Sequence, residues 1–184
     1  MTKRGWILFT AVSVLWGLPY FFIRIAVREL DPVCVVLGRT LPAAVLLVPL
    51  AWQRGVFTSL RGRVRGLVLY TVIEFGIPWY FMSSAERHIS SSLASLLICA
   101  TPLVALGVSK MLNPRMIIEK RRIAGLLLGS SGVVALVGLE VSSDSAWWIG
   151  AMGIVVVGYA LGPQIIATQL RSANGLAVVA ASVS

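Results

Sequence analysis

The chain has 184 residues, of which 58% are hydrophobic and 12% are charged, and its formal net charge is +9. This composition excludes an ordinary soluble domain, in which apolar residues would occupy only one face of each helix. Because the basic residues lie in short connections beside apolar stretches, the charge indicates contact with lipid headgroups and a fixed orientation rather than binding to nucleic acid.

Six apolar stretches follow one another along the chain. They are Gly5–Ile23, Pro32–Gln53, Gly66–Ala85, Ile89–Ser109, Ile123–Leu139 and Ser145–Leu170. Each is near or above the ~18–20 residues that a helix needs to cross a hydrocarbon core of about 30 Å. The runs are continuous rather than alternating, which favours helices over a β-barrel. We therefore predict an all-α membrane protein, a polytopic helical bundle.

Lys and Arg are distributed unequally between the two ends of this predicted bundle. The end that carries the N-terminus has 12 of the 16 basic residues, the opposite end has three, and Arg39 lies inside a span. The positive-inside rule then places the N-terminus in the cytoplasm of a multi-pass protein of the cell inner (plasma) membrane. The same bias argues against a half-size protein that inserts in both orientations.

The last segment, Asn174–Ser184, is apolar but has only 11 residues. At a rise of about 1.5 Å per residue, a helix of this length cannot cross the bilayer. We expect it to be a partial seventh helix in a truncated or fragmentary protein. The alternative is a complete six-span protein with an interfacial tail.

Two short segments share a composition. Trp16-Gly17-Leu18-Pro19-Tyr20 in the first stretch and Tyr159-Ala160-Leu161-Gly162-Pro163 in the sixth both place an aromatic residue, a Gly and a Pro inside an apolar helix. Transporters built from inverted repeats have such interrupted segments at corresponding places in each half. We therefore predict a first five-helix repeat over residues 1–140 and the incomplete start of a second over residues 145–184.

Two charged residues, Arg39 and Glu74, lie within predicted spans. A charge near the bilayer centre costs about 2.5–3.5 kcal/mol on insertion scales, so it normally faces a cavity or a partner. Helix rise places the two residues within about 8 Å of each other along the membrane normal. Either they line a pathway for a polar or zwitterionic substrate, with Glu74 relaying protons, or they are structural. The structural alternatives are a buried pair, or Arg39 extending to the interface beside a protonated Glu74.

The depth of several aromatic residues within their predicted spans, and the spacing of several glycines, indicate their roles. Trp16 and Tyr20 are deep in the first stretch and, with Tyr159, are further candidates for the substrate pathway. Trp79, Tyr80, Trp147 and Trp148 lie near span ends and are interpreted as interfacial anchors. The spacings Gly125-x-x-x-Gly129 and Gly158-x-x-x-Gly162 predict close packing between helices of the bundle. No metal-ligand spacing or cluster of catalytic groups occurs, so we expect no catalytic residues, metal or cofactor.

Four segments together resemble the EamA-type drug/metabolite transporter family. The segments are Trp16-Gly17-Leu18-Pro19-Tyr20-Phe21 followed by Arg24; Pro32 with Arg39; the run Ser84-Ala85-Glu86-Arg87-His88-Ile89-Ser90-Ser91-Ser92-Leu93-Ala94-Ser95-Leu96-Leu97 followed by Pro102; and Gly125 with Gly132. The third segment is the most specific. Thr40 departs from the pattern, because the family usually has an aromatic residue after the arginine.

The resemblance implies ten helices in two inverted five-helix repeats around a central cavity. It also implies secondary transport of small metabolites or drugs across the cytoplasmic membrane. We expect an exporter that works by alternating access, with a small-molecule substrate, the lipid bilayer and a proton or other coupling ion as partners. The alternatives are a non-transporting scaffold or regulatory subunit, an inactive transporter fragment and, less favoured, a membrane-embedded enzyme.

Overall fold

The computed structural model describes residues 2–137 and 145–184, and every regular element within these ranges is helical. The elements are α1 (Lys3–Ala26), α2 (Pro32–Gln53), a 3₁₀ helix (Val56–Leu60), α3 (Val64–Tyr70), a π-helical turn (Thr71–Gly76), α4 (Ile77–Ala85), α5 (Ser91–Ile98), α6 (Thr101–Leu112), α7 (Lys120–Val137), α8 (Ala146–Gln169) and α9 (Gly175–Ser182). The predicted all-α membrane bundle is confirmed. The predicted junction between residues 140 and 145 lies outside the described residues.

Five helical segments of the described chain are long and apolar enough to cross a membrane: Arg4–Ala26, Pro32–Gln53, Val64–Ala85, Ser91–Leu112 and Ala146–Gln169. The third of these spans combines α3, the π-helical turn and α4, and the fourth combines α5 and α6. The remaining predicted stretch, Ile123–Leu139, overlaps α7, which begins three residues earlier at Lys120 and ends at the limit of the described residues.

Local chemistry explains where the helices begin and end. The Asp31 side chain accepts a hydrogen bond from the Val33 N–H at the start of α2, and Pro32 occupies the first turn, where its missing N–H costs nothing. Ser90 caps α5 in the same way through the Leu93 N–H. After α2, Gly55 adopts φ 63°, a left-handed conformation that favours glycine and turns the chain away.

Helix α8 is the centre of the bundle. It packs against α3, the π-helical turn, α4, α5 and α6, and 44% of its most apolar window is buried, against 6% in each of α1 and α2. One core cluster joins it to α1, α2, α4 and α5 through Met152 and Val155, and a second joins it to α3 and α9 through Ile165. The apolar outer faces of α1 and α2 are left to contact lipid.

Two glycines allow α8 to approach the third span closely. A Cβ on Gly158 would lie 2.5 Å from the Ile73 carbonyl oxygen and 2.6 Å from Cγ of Pro78, and a Cβ on Gly162 would overlap the Glu74 carboxyl group. The predicted close packing is therefore confirmed for the Gly158-x-x-x-Gly162 pair.

The same prediction is wrong for Gly125 and Gly129. A Cβ on either residue would meet nothing within 4 Å among the described residues. The reason is geometric, because the glycines of α7 face away from α5 and α6, the helices against which α7 packs. The spacing of small residues alone does not say which helix faces carry a neighbour.

The connections meet at two opposite ends of the bundle. At the first, which we call the Arg87 end, Arg87 donates to the Leu30 carbonyl at 2.7 Å and pairs with Asp31 at 3.9 Å, while His88 stacks on Trp148 with ring centroids 4.0 Å apart. This end contains the connections around residues 27–31, 86–90 and 145–148, as the alternation of spans predicts.

The second, the Arg63 end, joins the connection before α3 to the connection before α9. Arg63 donates to the Ser59 carbonyl at 3.0 Å and also to the Ser172 hydroxyl. The Asn174 backbone N–H donates to the Ser59 hydroxyl at 3.0 Å. These bonds fix α9 beside α2, α3 and the 3₁₀ helix, against which it packs.

We predict that Gly158→Ala destabilises the bundle by about 1–3 kcal/mol, the usual cost of overpacking, because the new methyl group meets backbone that cannot move aside. Gly153→Ala on the same helix is the matched control, since a Cβ there meets nothing within 4 Å. Thermal unfolding in detergent measures both. Equal midpoints for the two variants would contradict the close approach.

Candidate functional site

Arg39 is held over an aromatic ring inside the membrane. Its guanidinium carbon lies 4.0 Å from the ring centroid of Trp79, which α4 presents to α2. The Nη1 atom of Arg39 is buried and has no hydrogen-bond partner among the described residues. The stacked ring holds the cation in place, while the free N–H groups keep their capacity to bind an anion.

Two tyrosines complete the wall around Arg39. Tyr20 of α1 and Tyr159 of α8 both lie within electrostatic range of the guanidinium and of each other, and Tyr159 also lies beside Trp79. The two segments of similar composition found in the sequence therefore bring their tyrosines to one place. We refer to Tyr20, Arg39, Trp79 and Tyr159 as the arginine cluster.

Glu74 takes a different neighbour from Arg39. It lies in the π-helical turn, which packs against α8, and its carboxyl group rests on Gly162. No ion pair within 4.0 Å joins it to Arg39 in the described chain, and its buried Oε2 atom has no hydrogen-bond partner there. Glu74 still lies within electrostatic range of Tyr159, so it borders the arginine cluster.

The π-helical turn explains why Arg39 and Glu74 do not form an ion pair, although their predicted heights in the membrane are similar. A π turn inserts an extra residue and rotates the chain that follows it relative to the chain before it. Glu74 is thereby directed at α8, while Trp79, one turn and a half later, is directed at α2. The sequence prediction compared only the heights of Arg39 and Glu74 along the membrane normal. Whether the two side chains meet also depends on the rotation of each residue about its helix axis.

Trp16 is not brought to the cluster. Its side chain is 68% exposed on the outer face of α1, among the apolar residues that contact lipid. Of the five pathway residues predicted from the sequence, the structure therefore places Tyr20, Arg39 and Tyr159 together and Glu74 at their border, with Trp16 apart.

An apolar groove leads to the cluster between α1 and α2. It has a volume of about 450 Å³, and Arg39 is its charged residue. The other lining residues are Leu15, Leu18, Pro19, Phe22, Ile23, Ala26, Leu30, Cys34, Val35 and Gly38. A molecule with an apolar body and one anionic group fits this combination of surfaces.

Glu86 is a buried acid that the sequence interpretation missed. It directly follows α4 in the connection to α5, where a carboxylate is normally solvated, yet it is 0% exposed. The Ser91 hydroxyl donates to its Oε2 at 3.2 Å, and Oε1 has no partner among the described residues. Burial raises the pKa of Glu86 to about 7, although Ser91, Arg24 and Arg39 each lower it.

Trp79 is the second residue that was missed, since its position near a span end suggested an interfacial anchor. The sequence feature that could have indicated Trp79 is the unpaired charge of Arg39, which needs a partner at its own height in the membrane.

For Glu86, the sequence feature is the run of small residues on both sides of it, from Ser83 to Ala85 and from Ser90 to Ser92. Small residues permit the ends of the neighbouring helices to close over the carboxyl group.

Comparison with known proteins identifies the family. The chain matches the EamA-like transporter family over residues 3–138. The chain belongs to this family. The resemblance seen in the four sequence segments is thereby confirmed.

This EamA family member is similar to protein PagO and to two curated proteins that are transporters by name. It is 30% identical over 148 residues to protein PagO of Salmonella typhimurium, covering 77% of this chain and 47% of PagO. It is 28% identical to an uncharacterized transporter of Archaeoglobus fulgidus, covering 74% of this chain and 47% of that protein. It is 25% identical to the uncharacterized inner membrane transporter YedA of Escherichia coli, covering 79% of this chain and 47% of YedA.

The chain spans about half the length of the curated relatives it matches. No solved structure matches it. The EamA family assignment and the apolar helices support a multi-pass membrane protein of a transporter family.

We predict that stability depends on pH through Glu86. Its pKa is 4.5 when solvated and about 7 in the fold, so the folded state binds more protons than the unfolded state between these values. Stability contributed by the protonated acid is therefore present below 4.5 and is lost as the pH rises through about 7. Glu86→Gln removes this loss.

Thermal unfolding in detergent over a pH series checks this prediction. The midpoint of Glu86→Gln minus that of the wild type is expected to grow with pH and to level off above about 7. Glu29→Gln, at an exposed carboxylate of the same end, is the control and is expected to show no such trend. A difference that is constant across the series would refute the assignment.

Proposed function

We propose that this EamA family member is a secondary transporter that exports small zwitterionic metabolites by alternating access. The observation that carries the proposal is Arg39, a cation inside the membrane that is stacked on Trp79, lies within electrostatic range of Tyr20 and Tyr159, and keeps an N–H group without a partner among the described residues. The charge has no protein carboxylate within 4.0 Å in the described chain, so a substrate carboxylate is the natural counter-ion.

The arginine cluster supports this substrate class through its mixed chemistry. The guanidinium supplies charge-assisted hydrogen bonds to a carboxylate, the tyrosine hydroxyls can donate or accept, and the groove between α1 and α2 receives an apolar body. Glu74 at the border of the cluster supplies the opposite charge and is a candidate proton relay. Trp16 remains a candidate for the lipid-side entrance of the pathway.

Interrupted helices support the alternating-access part of the proposal. Prolines lie inside α1, α2 and α8, at Pro19, Pro42, Pro49 and Pro163, and the third span contains the π-helical turn. Each interruption frees backbone groups and provides a point at which a helix can bend. We further propose that α1–α7 form one five-helix repeat and that α8 and α9 begin a second, with opposite orientation.

We predict that Arg39→Lys weakens substrate binding by about ten- to a hundredfold, because hydrogen bonds to a charged group are worth about 1.5–3 kcal/mol and lysine loses the planar fork and the stacking. Ligand-induced stabilisation of the purified chain, screened against zwitterions, carboxylates and neutral polyols, measures it. Uptake into proteoliposomes then tests transport of the stabilising compounds.

Arg28→Lys is the matched control, since Arg28 is exposed at the Arg87 end and is expected to leave binding unchanged. If no compound stabilises the wild type, or if Arg39→Lys binds as tightly as the wild type, the substrate role of the arginine cluster is wrong. A wild type that binds nothing and transports nothing would favour the scaffold alternative.

We also propose that the N-terminus and the Arg63 end face the cytoplasm, and predict the labelling pattern that follows from it. In a chain with Cys34→Ser and Cys99→Ser, an impermeant maleimide added to intact cells is expected to label Glu29→Cys. Thr58→Cys is expected to react only after permeabilisation. Both positions are exposed, so access decides the result. The reverse pattern would invert the orientation.

A further inference from the structure

Glu86 lies where a charge is costly and where the chain provides no direct ion pair for it. Its side chain is fully buried between α1 and α5, and no basic group lies within 4.0 Å of its carboxylate in the described part of the chain. One oxygen accepts a hydrogen bond from Ser91, and the other has no partner within residues 2–137 and 145–184. A buried carboxylate in this situation requires a proton or a cationic ligand.

The basic residues nearest to Glu86 are occupied elsewhere. The Arg24 guanidinium donates to the main-chain carbonyls of Glu86 and Ile89. Arg87 donates to the carbonyls of Val27 and Leu30. The two arginines therefore bind the connection between α4 and α5 to α1, and neither of them bonds the Glu86 Oε1 atom.

The other titratable groups that face Glu86 come from α1 and α2. Tyr20 and Arg24 face it from α1, and Arg39 faces it from α2. From α5 it meets the Ser91 hydroxyl, whose single O–H is shared between Glu86 Oε2 and the Tyr20 carbonyl, 3.1 Å from the latter. Glu86 is thus connected to the arginine cluster through Tyr20 and Arg39, on the side that faces the membrane interior.

On its other side Glu86 borders a polar cavity at the Arg87 end. The cavity has a volume of about 350 Å³ and is lined by Arg24, Val27, Arg28, Glu29, Glu86 and Arg87. The cavity lies between the solvent at this end and Glu86, whose side chain is 0% exposed. Glu86 therefore lies between the solvent at one end of the bundle and the candidate substrate site.

We propose that Glu86 is the coupling site of the transporter, at which a proton from the Arg87 end competes with the ammonium group of a zwitterionic substrate whose carboxylate is bound by Arg39. This inference rests on the proposed transport function. The substrate ammonium pairs with ionised Glu86 inside the bundle. A proton arriving at Glu86 Oε1 neutralises the carboxylate, removes the counter-charge and releases the substrate, so the substrate leaves as the proton enters.

The first test measures proton binding without any substrate. Infrared difference spectra are recorded over a pH series on the purified chain in nanodiscs, with Glu74→Gln in every sample so that this second buried acid does not contribute. They are expected to contain a protonated-carboxyl band that titrates near neutral pH. Glu86→Gln is expected to lose this band, and Glu29→Gln, at an exposed carboxylate that borders the same cavity, is expected to keep it. A band that persists in Glu86→Gln overturns the proposal.

The second test measures competition with a substrate. L-leucine is the zwitterionic probe, and isocaproate is the matched compound without an ammonium group. Wild-type affinity for L-leucine is expected to be about tenfold weaker one pH unit below the Glu86 midpoint than one unit above it, as a single competing proton requires. Isocaproate is expected to bind without this dependence, and Glu86→Gln is expected to bind L-leucine weakly at every pH.

Ser91→Ala keeps the proposal testable even if Glu86→Gln folds poorly. It removes the hydrogen bond that stabilises the ionised carboxylate, so both the infrared band and the L-leucine affinity are expected to titrate at higher pH than in the wild type. L-leucine binding that is equally tight across the pH series in the wild type overturns the coupling role alone. If neither these probes nor any compound of the stabilisation screen binds, the transport function is overturned as well.

Discussion

The close contact between α8 and the third span determines most of the architecture. Gly158 and Gly162 leave no room for a side chain, so the π-helical turn and Pro78 lie directly on α8. That contact directs Glu74 towards α8 and Trp79 towards α2, and it places Tyr159 of α8 beside Trp79. Without hydrophobic driving force between helices in lipid, such backbone-level packing is what holds a bundle together. The arginine cluster is a consequence of it.

The Arg87 end shows a second constraint, which concerns topology. Of the three basic residues at this end, Arg24 and Arg87 are tied to main-chain carbonyls, and Arg87 is also paired with Asp31. Their role is to satisfy carbonyl groups at helix ends, which lipid cannot do. The charge bias between the two ends is therefore sharper than a count of residues indicates, since only Arg28 remains uncommitted to the described main chain at this end.

Sequence reasoning predicted the features that depend on composition along one helix. The spans, the Asp31–Pro32 boundary and the membrane location of Arg39 follow from hydropathy, capping and charge. The contacts that depend on rotation about helix axes were not predictable in this way. The π-helical turn separates Arg39 from Glu74, and α7 turns its glycines away from its neighbours. Trp16 and Tyr20 share one face of α1, but Trp16 is 68% exposed, because only the part of that face around Tyr20 meets other helices. Hydropathy carries no information about which face of an apolar helix has a neighbour.

Arg39, Glu74 and Glu86 can bind a ligand because they are separated from one another and do not form ion pairs. A direct pair between Arg39 and a carboxylate would be self-sufficient and would leave a ligand nothing to bind, because each charge would already have its counter-ion. Here Arg39, Glu74 and Glu86 each retain a buried atom without a partner in the described chain. Stacking on Trp79 keeps the cation in place without neutralising it, and Ser91 does the same for Glu86 with a single hydrogen bond. In the proposed function, a zwitterion supplies the counter-charges of groups held apart in this way.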